Sequence, residues 1–385
     1  MELKEKHCWA QIDIDAIKNN YRLIRDTFSR PFYAVVKADA YGHGAPFLAK
    51  VYQEMGVFGL CVSSFAEAMQ LRNHGITKPI LILGYTRPDK AYDLFKNNLT
   101  QTVFSLRYAR QLNANALYPV DCHIKLDTGM GRLGFDMVND TEGALAQIRQ
   151  LHDMHNLKFS GMFSHFAAAD SLDERRLLYT EKQMELFDLA LDAAQRRGFD
   201  LRIIHGQNSA GISRKLNGRF NTMRAGIVLY GRQPSDEVIL PGLKPALSLK
   251  TIVTHIKTVK PGRSVSYGMN WHADGERKIA TLAAGYADGV PRILSFIGHS
   301  VEINGNTCPV TGNICMDQMM VDITDAGDIR VGDEALILGG GGQLSMEKTA
   351  RKAHTIAHEL MCAIPKRVPR VYTENGKICR IEYGY

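Results

Sequence analysis

The chain has 385 residues, 45% hydrophobic and 23% charged, an ordinary globular balance that excludes a disordered polymer and supports two domains with full cores. No run is long and apolar enough to span a bilayer, MELKEKHCWAQ lacks a signal peptide's apolar core, and seven scattered cysteines without a CxxC pair suggest neither a disulfide framework nor a metal site. The net charge of +7 is spread along the chain, with PKRVPR its one compact basic cluster, too short to argue for nucleic acid and readable as attraction for small anions. A cytoplasmic protein with neither a membrane nor a nucleic-acid partner is expected.

Residues 9–14 read as a short strand, and Asp15 can cap a following helix in which Ile17, Tyr21 and Ile24 recur at helical spacing. Residues 32–36 form an apolar run of β-formers that ends at Lys37, within AVVKADAYGHG, where aspartate and glycines read as a turn. A lysine at a strand end can lose solvent, shift its pKa downward and form an imine with an aldehyde cofactor; a plain surface lysine is the alternative. Tyr41 follows four residues on, its hydroxyl able to reach an anion. Further candidate strands lie at 58–62, 79–83, 101–105, 120–126, 158–164, 201–205 and 223–229, alternating with helical stretches such as 64–73 and 181–197. Eight strand-then-helix units over about 220 residues predict an α/β fold, a closed (β/α)8 barrel of the TIM type. An open doubly wound sheet is the runner-up, without a G-x-G-x-x-G to support it.

Polar residues fall at those strand ends: Lys37; His123, Lys125, Asp127 and Arg132 in HIKLDTGMGRLG; His165 after SGMFS; His205, Asn208 and Ser209 after LRII; and Arg224 in MRAGIVLYG. Any one alone is more often structural, but in a barrel the strand ends converge on a single pocket. From 241 the chain changes character, with β-type runs at 247–258, 278–283, 300–303, 319–323 and 334–338 and helical periodicity only over 346–363. The expected division is a barrel over 1–240 and a mainly-β domain over 241–385, with the first strand, about 8–14, able to pack with the C-terminal domain. VSYG, AGYADGVPR and ICMDQ mark the second domain.

In this order AVVKADAYGHG, HIKLDTGMGRLGF, SHFAAAD, NSAGIS, MRAGIVLYG, VSYG, GYADGVPR, ICMDQ and RVPRVY closely resemble the bacterial alanine racemases over essentially the whole chain. The resemblance implies a pyridoxal 5'-phosphate enzyme, an eight-stranded barrel followed by a β domain, and a homodimer whose active sites are shared between subunits. It implies that Lys37 carries the cofactor as an imine and serves as base at one face of the α-carbon of a small amino acid, while Tyr267 serves the opposite face. Tyr267 would be helped to ionise through His165 and Arg224, and Arg224 would face the cofactor's ring nitrogen. For the phosphate it implies Tyr41, Ser209 and the amides of Gly226 and Ile227, with Asn208 in the same cofactor site. Arg132 resembles the arginine near the cofactor's phenolic oxygen and the substrate carboxylate, Met316 the residue whose backbone amide meets that carboxylate, with Asp317 beside it, and Lys125 matches a lysine that some members carbamylate. His358, in TIAHE, stands where the family usually has a tyrosine, which opens serine or mixed serine and alanine racemisation as an alternative to alanine racemisation for peptidoglycan supply. A non-catalytic pyridoxal-phosphate carrier is a third reading, opposed by the presence of VSYG and ICMDQ.

Overall fold

The structure is a computed structural model and describes residues 7–384. The first strand, β1 (Cys8–Asp13), runs directly into the helix Ile14–Phe28, and Asp13, not Asp15, is its cap: the Asp13 carboxylate accepts from the Ala16 amide at 3.0 Å. Asp13 is still in extended backbone, from which a short side chain can fold back on the first turn; Asp15 already lies inside the helix and complements its dipole. Ile17, Tyr21 and Ile24 are buried, as their spacing predicts.

The barrel strands follow as β2 (Phe32–Val35), β3 (Gly59–Val62), β4 (Ile80–Ile82), β5 (Leu99–Val103) and β6 (Val120–Asp127), then a two-residue β7 (Phe135–Asp136) that pairs only with β6. β8 (Leu157–Phe163), β9 (Ile203–His205) and β10 (Met223–Ala225) complete the set. All eight main strands pair in parallel in the order β10-β2-β3-β4-β5-β6-β8-β9. Every residue of β2, β3 and β4 is buried, the continuous apolar run of a parallel sheet covered on both faces. The β9–β10 seam has no regular ladder; it is stitched by the Thr222 amide donating to the Ile204 carbonyl at 3.2 Å and the Arg224 amide to the Gln207 carbonyl at 3.0 Å. The barrel is thus nearly closed.

Two strand expectations are corrected here. β5 lies two residues earlier than 101–105, because Ser105 caps the next helix, Leu106–Asn115, accepting from the Tyr108 amide. The apolar run 223–229 is strand only through Ala225; Gly226 breaks it, and Ile227–Tyr230 is a turn of 3-10 helix, fully buried and therefore indistinguishable from a core strand by hydropathy.

The C-terminal strands are β11 (Leu247–Val259), β12 (Arg277–Leu282), β13 (Ser300–Ile303), β14 (Asn306–Pro309), β15 (Met319–Asp322), β16 (Glu334–Gly339), β17 (Arg370–Glu374) and β18 (Lys377–Glu382). They order as β14-β13-β16-β11-β1-β17-β18, with β12 joining β11 to β15. β1 is therefore a central strand of this second sheet, antiparallel to β11 and parallel to β17. The thirteen-residue β11 serves two neighbourhoods, pairing β1 and β16 through its first half and, past an irregularity at Val253, β12 through its second. The helical stretch expected over 346–363 is two short helices, Met346–Lys352 and Ala357–Cys362, and β14, β17 and β18 were not expected at all. One continuous apolar core runs from barrel residues such as Leu60 and Ile204 into Ile12, Leu247 and Leu338 of the second sheet. Among the described residues no helix is long and apolar enough to cross a membrane.

Candidate active site

Lys37 opens a segment that the sequence shows only as a turn. Ala38, Asp39, Ala40 and Tyr41 all have φ between 51° and 54°, so four consecutive L-residues form a left-handed helical turn, closed by Gly42 at φ 80°. Such backbone is unfavourable by about 1–2 kcal/mol per residue and persists only where its surroundings impose it. Here Glu67 accepts from the Ala38 amide at 2.8 Å, Asp39 accepts from the Ala45 amide at 2.8 Å, and His43 engages the Tyr41 carbonyl through Nδ1 at 2.9 Å. The turn holds Lys37 half-buried, and burial first, then the Arg132 guanidinium, pushes its ammonium below the ordinary lysine value. A lysine so placed is a better nucleophile and base at neutral pH than a solvated one.

Across the barrel mouth lies Arg224, buried, donating to His205 Nδ1 at 2.6 Å and to the Ser164 carbonyl at 2.7 Å, and standing 3.4 Å from His165 Nδ1. Burial brings its pKa down to about 10, so it keeps its proton at neutral pH. Because a guanidinium only donates, His205 must accept at Nδ1 and carry its hydrogen on Nε2, which then points at His123 Nδ1, 2.9 Å away. His123 and His205 therefore form a ladder of neutral rings behind the arginine; burial, then the Arg224 charge, lowers the pKa of both. The same two causes lower His165. Lys125 is buried beside them, donating to the Leu126 carbonyl at 2.5 Å, and burial followed by Arg224 pushes it down to about 7.

A second set of groups gathers around Gly226. The Gly226 amide donates to Ser209 Oγ at 3.0 Å, and a Cβ at Gly226 would stand 2.8 Å from the Tyr41 hydroxyl and 3.4 Å from Ser209 Oγ. Ile227 follows in the 3-10 turn, and Asn208 caps the short helix Ser209–Ser213 by accepting from the Gly211 amide at 3.0 Å. His358, on the helix Ala357–Cys362, places its ring 5.8 Å from that of Tyr41, and burial, then Lys37, lowers its pKa. Lys37, Tyr41, Lys125, Arg132, His165, Asn208, Ser209, Arg224, Gly226, Ile227 and His358 thus all belong to the C-terminal mouth of one barrel. Asp127 differs in kind: its carboxylate accepts from the amides of Gly129, Met130, Gly131 and Arg132, which ties up its charge in shaping the loop that carries Arg132.

Tyr267, Met316 and Asp317 are not brought to this mouth by the chain itself. Tyr267 and Met316 are exposed on the second domain, where Asn313 Nδ2 donates to the Tyr267 carbonyl at 2.8 Å and the Ala287 amide to the Met316 carbonyl at 2.9 Å; Asp317 pairs with Arg367 at 2.7 Å. Several contributors at the barrel mouth carry no local signal in the sequence. Glu67 comes from the next βα unit, Tyr230 packs on Tyr41 with ring centroids 4.9 Å apart, and Cys362 lies within electrostatic reach of Lys37. The PKRVPR cluster, read from the sequence as attraction for small anions, turns two arginines inward: Arg370 is buried and Arg367 is held between Asp288 and Asp317. Among the described residues no group of histidine, cysteine, aspartate or glutamate could hold a metal ion.

A family model described as alanine racemase, N-terminal domain, matches residues 12–234, and one described as alanine racemase, C-terminal domain, matches residues 246–372. The chain is 41% identical over 382 residues to the alanine racemase of Clostridium novyi, covering 97% of both chains. The solved alanine racemase of Clostridium difficile 630 superposes with a TM-score of 0.93 at 38% identity and full coverage of each chain. That of Bacillus anthracis with bound L-Ala-P superposes with a TM-score of 0.91 at 34% identity, covering 99% of both. With a barrel whose mouth gathers lysine, arginine and hydroxyl donors, and with both halves matched in order, this chain belongs to the alanine racemase family.

Proposed function

We propose that the chain interconverts L- and D-alanine with pyridoxal 5'-phosphate, as a homodimer in which each site draws on both subunits. The observation that carries the cofactor assignment is the meeting of the Tyr41 hydroxyl, Ser209 Oγ and the Gly226 amide at a position where a Cβ would stand 2.8 Å from that hydroxyl, beside a lysine whose pKa is lowered. Hydroxyl and amide donors next to Lys37, Arg132 and Arg224 suit a phosphate dianion, and the nearby carboxylates of Glu67 and Asp127 are already engaged by backbone amides. The residues present fit the group. Tyr41, Ser209, Gly226, Ile227, Asn208 and His358 would hold its phosphate end and Arg224 its ring nitrogen. When bound, pyridoxal phosphate supplies an aldehyde for amine exchange and an electron sink for charge on the α-carbon.

The chain's own residues supply the rest. Lys37 Nζ, whose burial favours the neutral amine, takes or returns the α-proton on one face. The partner subunit's Tyr267 acts on the other face, and the two roles exchange with the hand of the substrate. Arg224 stays charged and does not surrender its proton, which limits how far the α-carbon charge spreads and so disfavours side reactions. Arg132 and the partner subunit's Met316 amide receive the substrate carboxylate, with the partner's Asp317 beside them. Lys125, close to neutrality, is suited to carbamylation that would orient Arg132. A cytoplasmic setting and a role in supplying D-alanine to peptidoglycan belong to the same proposal.

His358 supports a second reading. It sets a polar ring against Tyr41 and within reach of the Lys37 charge, where a hydroxylated side chain could be received. The test is incubation with pyridoxal phosphate and either L-alanine or L-serine, with both enantiomers quantified by chiral chromatography. D-alanine as the dominant product is expected. Comparable D-serine would make His358 a specificity determinant, and retained cofactor without any D-product would leave only the carrier reading.

A further inference from the structure

RVPRVY has no role in the chemistry above, yet it touches both halves of the site. Arg370 is buried and its guanidinium donates to four carbonyls: Gly42 at 3.1 Å, Pro365 at 2.6 Å, Val368 at 2.7 Å and Ile364 at 2.8 Å. The first is the residue that closes the left-handed turn of Lys37. Two residues on, the Tyr372 hydroxyl stands 3.1 Å from the His43 carbonyl and 3.0 Å from Glu382 Oε2, its one hydrogen shared between them, a second and weaker tie to the same segment. Three residues earlier, Arg367 donates through Nε to Asp288 at 2.8 Å and through Nη2 to Asp317 at 2.7 Å. Asp288 in turn accepts from the Gly285 amide at 3.0 Å, and the Tyr286 and Ala287 amides donate to the Cys315 and Met316 carbonyls, so Arg367 closes a knot between GYAD and ICMDQ. The spacer is stiff: Val368 is buried, Pro369 has a fixed φ, and the Pro369 carbonyl accepts from Ala10 of β1 at 2.9 Å.

We propose that Arg367 and Arg370 are positioning residues at the two ends of one rigid clamp: Arg370 fixes the turn that carries Lys37 and Tyr41, and Arg367 fixes the loop that carries Met316. The assignment rests on the reading of Lys37 and Met316 as site residues. In the shared-site dimer these two ends serve different active sites, so a four-residue segment sets the geometry of one half of each. Arginine is required at both positions because a planar fork can reach several acceptors at once, where a lysine offers a single point charge.

The test uses the full-length chain loaded with pyridoxal phosphate and three variants, Arg370→Lys, Tyr372→Phe and Arg367→Lys. Hydrogen exchange is followed by mass spectrometry at 37–44 and 313–318, together with cofactor dissociation and the KM for L-alanine. Arg370→Lys is expected to speed exchange at 37–44 alone and to weaken cofactor retention about tenfold or more. Tyr372→Phe, which keeps the packing, should do the same to a smaller degree. Arg367→Lys should speed exchange at 313–318 alone and raise KM several-fold with cofactor retention unchanged. If each variant loosens both segments together, or neither segment, the clamp is overturned. Exchange needs no turnover, so a split pattern without racemisation would keep the clamp and remove the functional reading, and racemisation without the split would do the reverse.

Discussion

His43 and His123 are buried in the barrel and its flank without charge, and burial pushes each down to about 3. In the unfolded chain both titrate near pH 6.5, as free histidines do. Between those values the unfolded state holds more protons than the native one, so their contribution to stability is complete above about pH 6.5 and is lost as pH falls toward 3. Each removes up to about 1.4 kcal/mol per pH unit, so together they should take away about 4 kcal/mol by pH 5. The urea midpoint is therefore expected to drop clearly between pH 7 and pH 5, before most carboxylates titrate. A level midpoint over that range would mean that both rings are charged in the native state, and a charged His123 would break the donor order from Arg224 through His205. Arg224 itself is not in play there, because at about 10 its pKa leaves it charged throughout.

At the scale of elements, the left-handed turn is the structure's most demanding feature, and Gly42 is its hinge to the second domain. Its φ of 80° is closed to most side chains, and a Cβ there would stand 2.2 Å from the Met361 carbonyl oxygen on the helix that bears His358. Gly42→Ala should destabilise the protein by more than about 2 kcal/mol, seen as a lowered Tm, and should also weaken cofactor retention, because the displaced helix carries His358 away from Tyr41. An unchanged Tm would show that the turn and the helix move apart freely. This turn also marks the limit of what the sequence discloses. Apart from 223–229, which ran four residues past the end of β10, strand positions in the barrel were legible within about two residues, because buried parallel strands are apolar runs bounded by turn residues. The strand ends also disclosed Lys37, Arg224, His165 and Ser209 as neighbours, since barrel closure brings such ends together. The handedness of Ala38–Tyr41 was not legible: alanine and tyrosine have no preference for positive φ, and the turn is held by Glu67 and Arg370, which reach in from elsewhere, and by Asp39 and His43, which tie it locally. β17 and β18 were missed for a related reason. Their arginines and lysines interrupt the apolar alternation that marks a strand, whereas Arg370 is buried because four backbone carbonyls converge on it.

At the scale of the whole molecule, the second domain presents an apolar face that one chain leaves open. Tyr267 is 74% exposed, Met269 62%, Phe296 54% and Met316 54%, and hydrogen bonds join their loops: Asn313 Nδ2 to the Tyr267 carbonyl, and the Ile314 amide to Ser295 Oγ at 2.9 Å. Such a face is characteristic of an interaction surface, and a closed two-fold dimer would cover it while carrying Tyr267 to another subunit's barrel mouth. The arrangement can be tested by complementation. Lys37→Ala removes the amine from a subunit's own mouth, and Tyr267→Phe removes the hydroxyl that, in the proposed dimer, this subunit would lend to its partner. Each homodimer should be inactive. In a mixed dimer one site combines both lesions, while the other joins an intact Lys37 to an intact Tyr267. Random assembly makes about half the dimers mixed, each with one working site, so co-expression should restore about one quarter of the wild-type racemase activity. If Tyr267 instead served the mouth of its own chain, no assortment of subunits could reunite the two groups, and the mixture would stay as inactive as its parts.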